Sequence, residues 1–194
     1  GSNGPVFLVN SNQPSMWTAT DMEMLPEPGE PLAVLRLRYG FDADVAVYDN
    51  GVARSNAAPS QGDYYSEVIE VGDDPSMLYV QNHGVGGFRR YTVDGTGTTL
   101  LDVDTTLLPL LSIVELEWGN GRLFTSIGTV IDPVARTRVG TVPGIAVNSL
   151  VAYDPATRRI LYLTPSGTTA LLQAFDAETL LPLGSTNIAG LSGS

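Results

Sequence analysis

Two glutamates stand two positions apart in a short apolar segment, a spacing that could serve acid–base chemistry. Glu115 and Glu117 lie within Val114–Glu117, where strand alternation directs both carboxylates to one face. Glycoside hydrolysis uses paired carboxylates when a cavity holds them at a suitable separation. The internal repeat described below aligns this pair with Arg36 and Arg38 on the innermost strand of another repeat unit. We therefore favour a polar patch on an inner strand over a catalytic pair.

Aspartates near a glycine-containing turn raise the question of a calcium site. Asp94, Asp102 and Asp104 flank the segment Gly95-Thr96-Gly97. An EF-hand loop needs oxygen ligands at alternate positions and a terminal glutamate, and this segment has neither. Four further aspartates are interpreted as turn residues: Asp42, Asp44, Asp73 and Asp74. The sequence predicts no metal site.

The one histidine of the chain, His83, follows a strand and precedes a glycine-rich stretch. A lone histidine can act as a general base, but no partner residues are recognisable near it. The glycines do not match the phosphate-binding pattern G-x-G-x-x-G because position 89 is arginine. We predict an exposed loop histidine. Three serines lack the G-x-S-x-G context of a nucleophile: Ser112, Ser126 and Ser149.

Arginines and aromatic residues are the remaining candidates for binding. The arginines recur in pairs near strand ends and turns: Arg89 with Arg90, Arg136 with Arg138, and Arg158 with Arg159. They could form an anion-binding rim, but we favour ordinary surface pairing with the surplus carboxylates. Four aromatic residues could stack on sugars or pack between sheets: Trp17, Trp118, Tyr64 and Tyr65. The sequence leaves both uses open, so no catalytic, cofactor-binding or metal-binding residue is predicted.

Composition excludes several kinds of catalyst. The 194 residues include no cysteine and one histidine, and all ten basic residues are arginine. Disulfides, thiolate nucleophiles and cysteine-held metal sites are therefore excluded. A site of several histidines cannot form within one copy, and Schiff-base or phosphate-loop lysine chemistry is absent. We predict no cofactor.

A net charge of −11 disfavours nucleic acid and anionic membranes as partners. The strongest apolar run, residues 107–114, is too short to cross a bilayer and contains Pro109. A protein or a carbohydrate is the expected kind of partner. Gly1-Ser2 is typical of a tag-cleavage scar, so we expect residues 1–4 to be scar or linker and a native leader to have been trimmed.

A short strand recurs along the chain. With 21 glycines and 13 prolines, long helices are unfavourable, which leaves an all-β fold. The strand recurs at five anchor residues, Phe7, Ala46, Tyr79, Phe124 and Tyr162. The gaps between them are 39, 33, 45 and 38 residues. Their mean of about 39 lies within the range of propeller and solenoid repeats.

Turn signals complete each repeat. Four anchors follow another strand through a turn, as at Asn120-Gly121, which predicts antiparallel hairpins. A third strand ends in aspartate at Asp94, Asp132 and Asp176, and that carboxylate can accept backbone N–H groups of the next turn. Four strands per repeat are the blade of a β-propeller. We predict one propeller domain or propeller segment over 1–194, with five blades: about 5–32, 33–66, 67–110, 111–146 and 147–188.

Several of these motifs resemble a known family. Leu78-Tyr79-Val80-Gln81-Asn82 is similar to the signature of bacterial YVTN-type β-propellers, and Val130-Ile131-Asp132-Pro133 with Val139-Gly140 resembles that family's blade ending. The segment Ala174–Thr179 is similar to it as well. The likeness covers residues 67–188. It implies blades around a central channel, about seven in number, in secreted or surface-attached bacterial proteins.

The five anchors are fewer than that family's ring requires. The C-terminal segment 187–191 could pair with the first blade and close a small five-bladed ring. Alternatively, the chain is a piece of a longer propeller, which we slightly favour.

From these features we predict a non-enzymatic binding or scaffold module of a bacterial extracytoplasmic protein, with recognition through loops at one face. A propeller-type hydrolase, a lactonase or glycosidase with channel carboxylates, is the first alternative. A structural module that assembles through open blade edges is the second.

Overall fold

The structure, a computed structural model, describes residues 17–38, 42–60, 67–82, 87–109 and 114–190. Its regular elements are strands, arranged in four antiparallel sheets in which neighbours in sequence pair. In these ranges no helix is long and apolar enough to cross a bilayer. The predicted all-β fold built from antiparallel sheets is confirmed, with three four-stranded sheets and one of five strands.

The chain divides into two compact units, Gly1–Ile113 and Val114–Ser194. The first unit contains two sheets. The first sheet is formed by β1 (Trp17–Met24), β2 (Leu32–Arg38), β3 (Asp42–Asp49), β4 (Val52–Ala53) and β5 (Ala58–Ser60). Its last two strands both pair with β3, so they share the place of a fourth strand. The second sheet is formed by β6 (Glu67–Val71), β7 (Met77–Asn82), β8 (Gly87–Asp94) and β9 (Gly97–Asp104).

These two sheets pack around a shared apolar core. Strand alternation directs Leu35 and Val45 of the first sheet towards Val80 and Tyr91 of the second, and all four are buried. Alanine and β-branched residues dominate this layer, as expected for strands buried between sheets. The opposite face of the first sheet carries Arg36 and its neighbours, described below.

The second unit contains the third and fourth sheets. The third is formed by β10 (Leu116–Gly119), β11 (Arg122–Thr125), β12 (Thr129–Asp132) and β13 (Thr137–Thr141). The fourth is formed by β14 (Leu150–Asp154), β15 (Arg159–Ser166), β16 (Thr169–Asp176) and β17 (Pro182–Ala189). Their core includes Phe124, Ile160, Tyr162 and Phe175, with the rings of Tyr162 and Phe175 edge to face at 5.9 Å.

The predicted hairpins and aspartate-ended strands are confirmed where the structure describes them. The turn at Asn120 and Gly121 joins β10 to β11 with φ values of 53° and 74°, a conformation that Asn-Gly favours. Asp94, Asp132 and Asp176 end the third strands of their sheets. Strand propensity and turn chemistry therefore agree from β6 onward.

The predicted alignment of the first repeat is wrong. Arg36 and Arg38 lie on β2, the second strand of its sheet, and not on an innermost first strand equivalent to β10. Ala46 lies on a third strand, whereas Tyr79, Phe124 and Tyr162 lie on second strands. The cause is β1: half of its residues are threonine or acidic, and its register shifts between Ala19 and Asp21, so it lacks a clean alternation.

The division into five blades stays a prediction. The first predicted strand, Val6–Val9, lies outside the described residues, as does the turn at Gly40. The described part of the predicted blade 5–32 is β1, which pairs with β2 of the predicted blade 33–66.

Candidate recognition surface

The two candidate glutamates have different surroundings. Glu115 precedes β10 and is exposed, whereas Glu117 is half-buried on β10. Oε1 of Glu117 accepts a hydrogen bond of 2.8 Å from the backbone N–H of Tyr153 on β14. Burial raises the pKa of Glu117, and the Tyr153 hydrogen bond partly opposes that shift. Glu117 therefore links the third and fourth sheets.

Asp21 performs the same task in the first unit. Its Oδ2 accepts a 2.9 Å hydrogen bond from the backbone N–H of Ile69 on β6, and its Oδ1 accepts one from Met22. In both units a carboxylate on the first strand of one sheet thus bonds the first strand of the next. Sequence reasoning missed Asp21 because β1 itself was missed.

One five-residue turn recurs three times in the second unit. It begins at Asp132, Asp154 and Asp176, and each carboxylate accepts the backbone N–H two positions later at 2.9–3.0 Å. The fifth residues have positive φ: Arg136 at 57°, Arg158 at 53° and Leu180 at 60°. We call the end of the sheets that carries these turns the turn end. The predicted role of the strand-ending aspartates is confirmed.

The aspartates of the suspected calcium loop have separate partners. Asp94 accepts from Thr96, Asp104 accepts from Thr106, and Asp102 pairs with Arg90. Among the other acidic turn candidates, Asp74 accepts from Ser76, and Asp44 binds Arg36. Asp73 is exposed, and the side chain of Asp42 lies outside the described set. Within the described ranges no group of three or more histidine or acidic side chains could hold a metal ion.

Several arginines are paired, as the simpler interpretation predicted. Arg90 bonds Asp102 through Nε at 3.0 Å, and Arg158 bonds Glu178 at 2.9 Å on an exposed surface. Arg89 lies on the same strand as Arg90 but is 3 % exposed. Arg136, Arg138 and Arg159 are exposed. The described pairs do not form a shared rim of free cations, because Arg90 and Arg158 already bind carboxylates.

Arg36 is the centre of an aromatic cluster on the first sheet. Its Nε and Nη2 bind both oxygens of Asp44 at 2.6 Å, and Nη1 donates to the Tyr48 hydroxyl at 2.7 Å. The guanidinium also lies 4.8 Å from the Trp17 ring centroid, a cation–π contact. Burial is the largest single effect and lowers the pKa of Arg36, but the hydrogen bonds and charge interactions with Asp44 and Tyr48 together outweigh it, so the pKa is raised. Trp17 is thus engaged by a cation of its own sheet.

Two arginines that the sequence did not single out fasten neighbouring sheets: Arg54 in the first unit and Arg122 at the turn end of the second unit. Arg54 binds Glu27, Asp49 and the carbonyl oxygen of Asp94 at 2.7–2.9 Å, joining the first sheet to the β8–β9 turn. Arg122 donates to the carbonyl oxygen of Glu178 at 3.1 Å, joining the third sheet to the β16–β17 turn. The turn end is therefore occupied by contacts that hold the fold.

The opposite end of the second unit has one long connection, residues 142–149, and several hydroxyl groups. We call this the loop end; it comprises residues 114–115, 126–128, 142–149 and 166–168. Ser149 Oγ and Thr164 Oγ1 lie 2.6 Å apart, and Ser126 Oγ accepts from the backbone N–H of Glu115 at 3.0 Å. Val147 is 76 % exposed beside them. The loop end combines hydroxyls, the exposed Glu115 carboxylate and an exposed apolar side chain.

The other candidate residues are placed as follows. Trp118 is half-buried on β10, and Ser126 and Ser149 are buried at the loop end. His83, Tyr64, Tyr65 and Ser112 lie outside the described residues. The structure therefore brings Ser126, Ser149 and Glu115 to one end, and the sequence analysis had not associated them.

Among known proteins, the chain finds its likenesses in solved structures. No protein-family model and no curated protein sequence matches the chain. Among solved structures, the apo AztD protein of Citrobacter koseri is similar with a TM-score of 0.48 and 11 % sequence identity. The match covers 95 % of this chain and 61 % of that one, so this chain spans about three fifths of its length.

Proposed function

We propose that this chain is a non-enzymatic binding or scaffold module of a bacterial extracytoplasmic protein, built on YVTN-type propeller blades. One observation carries the non-enzymatic part: the strongest chemical candidate, Glu117, is committed to the Tyr153 backbone. Asp44 and Asp102 are likewise committed to Arg36 and Arg90. The bacterial and extracytoplasmic parts rest on the sequence resemblance alone.

Recognition of a protein or glycan is proposed for the loop end. Thr164 is partly exposed and keeps hydrogen-bonding capacity beyond its contact with Ser149, because a hydroxyl group both donates and accepts. Glu115 adds an exposed acceptor, and Val147 adds apolar surface. Loops held by a rigid sheet scaffold are where proteins most often place such sites.

The hydrolase alternative requires an arrangement of two carboxylates that Glu115 and Glu117 do not show. Acid–base cleavage needs two carboxylates that face one substrate across a set distance. Here one carboxylate is exposed ahead of β10 and the other bonds a backbone N–H between sheets. Chromogenic glycosides and lactones test this alternative, and turnover by the wild type that Glu117→Gln abolishes would support it.

Paired screens test the binding proposal: a glycan array and a displayed peptide library, each probed with the purified chain. A selected ligand is then titrated against Val147→Arg and Glu115→Arg at the loop end. We expect each substitution to weaken binding at least about tenfold. Val134→Arg, at an equally exposed position on the turn end, is the matched control and should bind like the wild type. Equal affinities for all three variants would place recognition elsewhere.

A further inference from the structure

The fourth sheet has an apolar face directed away from the third sheet. Because Val151, Tyr153, Ile160 and Tyr162 face the shared core, the alternate residues face outward. Cross-strand partners form two apolar rows, listed here: Leu150–Leu163–Leu172 and Ala152–Leu161–Ala174. On the first strand of this face Leu150 is 49 % exposed, and Ala152 is exposed as well. The remaining members of the rows are partly buried, and an apolar face that is open along one strand in this way is typical of an interaction surface.

The first sheet has a matching exposed strip. Val34 and Ala46 are a cross-strand pair on the face of the first sheet that is directed away from the second sheet, and both are buried. The hydrogen bond between Arg36 and Tyr48 spans this pair. The first strand of that face is not covered in this way. Met22 and Met24 on β1 are 51 % and 55 % exposed. Methionine adapts its shape readily, which suits it to packing against another surface.

The two sheet junctions within the chain show how such faces meet. In each, the first strands of the two sheets lie side by side and a carboxylate bonds a backbone N–H. Glu117 pairs with Phe124 on the next strand, and Ala152 pairs with Leu161 in the equivalent place. The fourth sheet therefore has alanine where the other junctions have a carboxylate.

The receiving side explains that alanine. In the second unit, the backbone N–H that donates to Glu117 belongs to Tyr153, the residue after Ala152. The equivalent residue of the first sheet is Met22, which follows Asp21. The Met22 backbone N–H already donates to Asp21 Oδ1 at 2.9 Å. A sheet that packs on β1 consequently needs no carboxylate opposite Met22, and a small apolar residue leaves space for its side chain.

We propose that the fourth sheet of one copy packs on the first sheet of a second copy, with Ala152 opposite Met22 of that copy. A dimer in which each copy gives its fourth sheet to the other's first sheet leaves neither strip exposed. The Arg36–Asp44 pair is internally neutralised, so the receiving face adds little repulsion between chains of net charge −11. This inference concerns a different surface from the loop end and does not depend on the proposed function.

Light scattering and sedimentation over a range of concentrations test the proposal on the whole chain. The wild type should approach twice the 20.6 kDa chain mass as concentration rises. Met22→Glu and Ala152→Arg each bury an unpaired charge at both junctions, so each should weaken dimerisation about a hundredfold, tenfold per junction. The double variant places Glu opposite Arg and should regain at least about tenfold of that loss.

Controls separate loss of the junction from loss of fold. Val134→Glu and Val147→Arg make the same chemical changes at exposed positions off both strips and should dimerise like the wild type. Far-UV circular dichroism of each single variant should match the wild type. A wild type that is monomeric at every concentration would overturn the proposal, as would single variants with unchanged mass or a double variant that shows no recovery.

Discussion

The carboxylate of Glu117 and the backbone N–H of Tyr153, 2.8 Å apart, join two sheets through a half-buried charge. A carboxylate loses hydration on burial, and one backbone hydrogen bond returns only part of that free energy. The raised pKa of Glu117 expresses the same balance, with burial as the larger cause. What this position requires is an acceptor oxygen, and the negative charge is an accompanying cost.

Replacing Glu117 by glutamine should therefore preserve the sheet junction. The amide oxygen can accept from Tyr153 while carrying no charge, so Glu117→Gln should unfold within about 1 kcal/mol of the wild type at pH 7. Glu117→Ala leaves the Tyr153 N–H without that acceptor and should lose about 1–2 kcal/mol. Urea unfolding measures both variants.

The pH dependence of this pair is a sharper test. Because the folded state raises the pKa of Glu117, folding favours its protonated form. The stability associated with that proton is lost as pH rises from the unfolded value through the raised folded value. The stability of Glu117→Gln relative to the wild type should thus increase between about pH 4 and 7. An unchanged difference across that interval would contradict the burial of the charge.

Asp21 should respond differently because it uses both carboxylate oxygens. Oδ1 accepts from Met22 and Oδ2 from Ile69, so an asparagine turns a donor towards one of two backbone donors. Asp21→Asn should lose about 1–3 kcal/mol, in contrast to the near-neutral Glu117→Gln. Thermal and urea unfolding of the two amide variants, side by side, provide the comparison. Equal effects would contradict the use of both Asp21 carboxylate oxygens as hydrogen-bond acceptors.

The turn aspartates should make the protein sensitive to acid. Hydrogen bonds from nearby hydroxyl and backbone groups lower the pKa of Asp74, Asp94, Asp154 and Asp176. A lowered folded pKa gives stability that is present above the unfolded value and is lost as pH falls through the folded value. Melting temperature should thus fall as pH drops below about 4.

Two variants in equivalent turns of the second unit test whether the turn aspartates cause that slope. Thr157→Val removes the hydroxyl that donates to Asp154 and should reduce the acid-dependent loss while keeping the carboxylate. Val134→Ala changes an exposed side chain without a titratable group and should keep the wild-type slope. If Thr157→Val and Val134→Ala gave the same slope, the hydroxyl contact would not be the cause.

Local chemistry explains which elements the sequence could predict. From β6 onward the strands are rich in Val, Leu, Ile and Tyr, and many of their turns carry Asn-Gly or an aspartate. These signals depend on residues close in sequence, so the hairpins and the role of Asp132 and Asp176 followed directly. In contrast, β1 alternates imperfectly around its register shift and resembles a polar linker.

The candidate site depended on contacts that no local pattern encodes. Glu117 was singled out by spacing, but its partner Tyr153 belongs to another sheet. Arg54 and Arg122 bind carbonyl oxygens of neighbouring sheets, and carbonyl oxygens have no sequence signature. Knowing that Glu115, Ser126 and Ser149 share one end required the order of strands as well as their positions.

A close backbone approach between Asn56 and β9 in the first unit requires glycine at position 97. Asn56 donates its backbone N–H to the Thr96 carbonyl oxygen at 2.7 Å and accepts from the Thr98 N–H at 3.1 Å. A Cβ added at Gly97 would lie 1.8 Å from the Asn56 carbonyl oxygen, and φ is +131°, which L side chains rarely adopt.

Gly97→Ala should therefore lose more than about 3 kcal/mol in urea unfolding. Gly95→Ala, two positions earlier with no atom within 4 Å of the added Cβ, should stay within about 0.5 kcal/mol of the wild type. Equal stabilities for the two alanine variants would mean that Asn56 does not pack against β9 in solution.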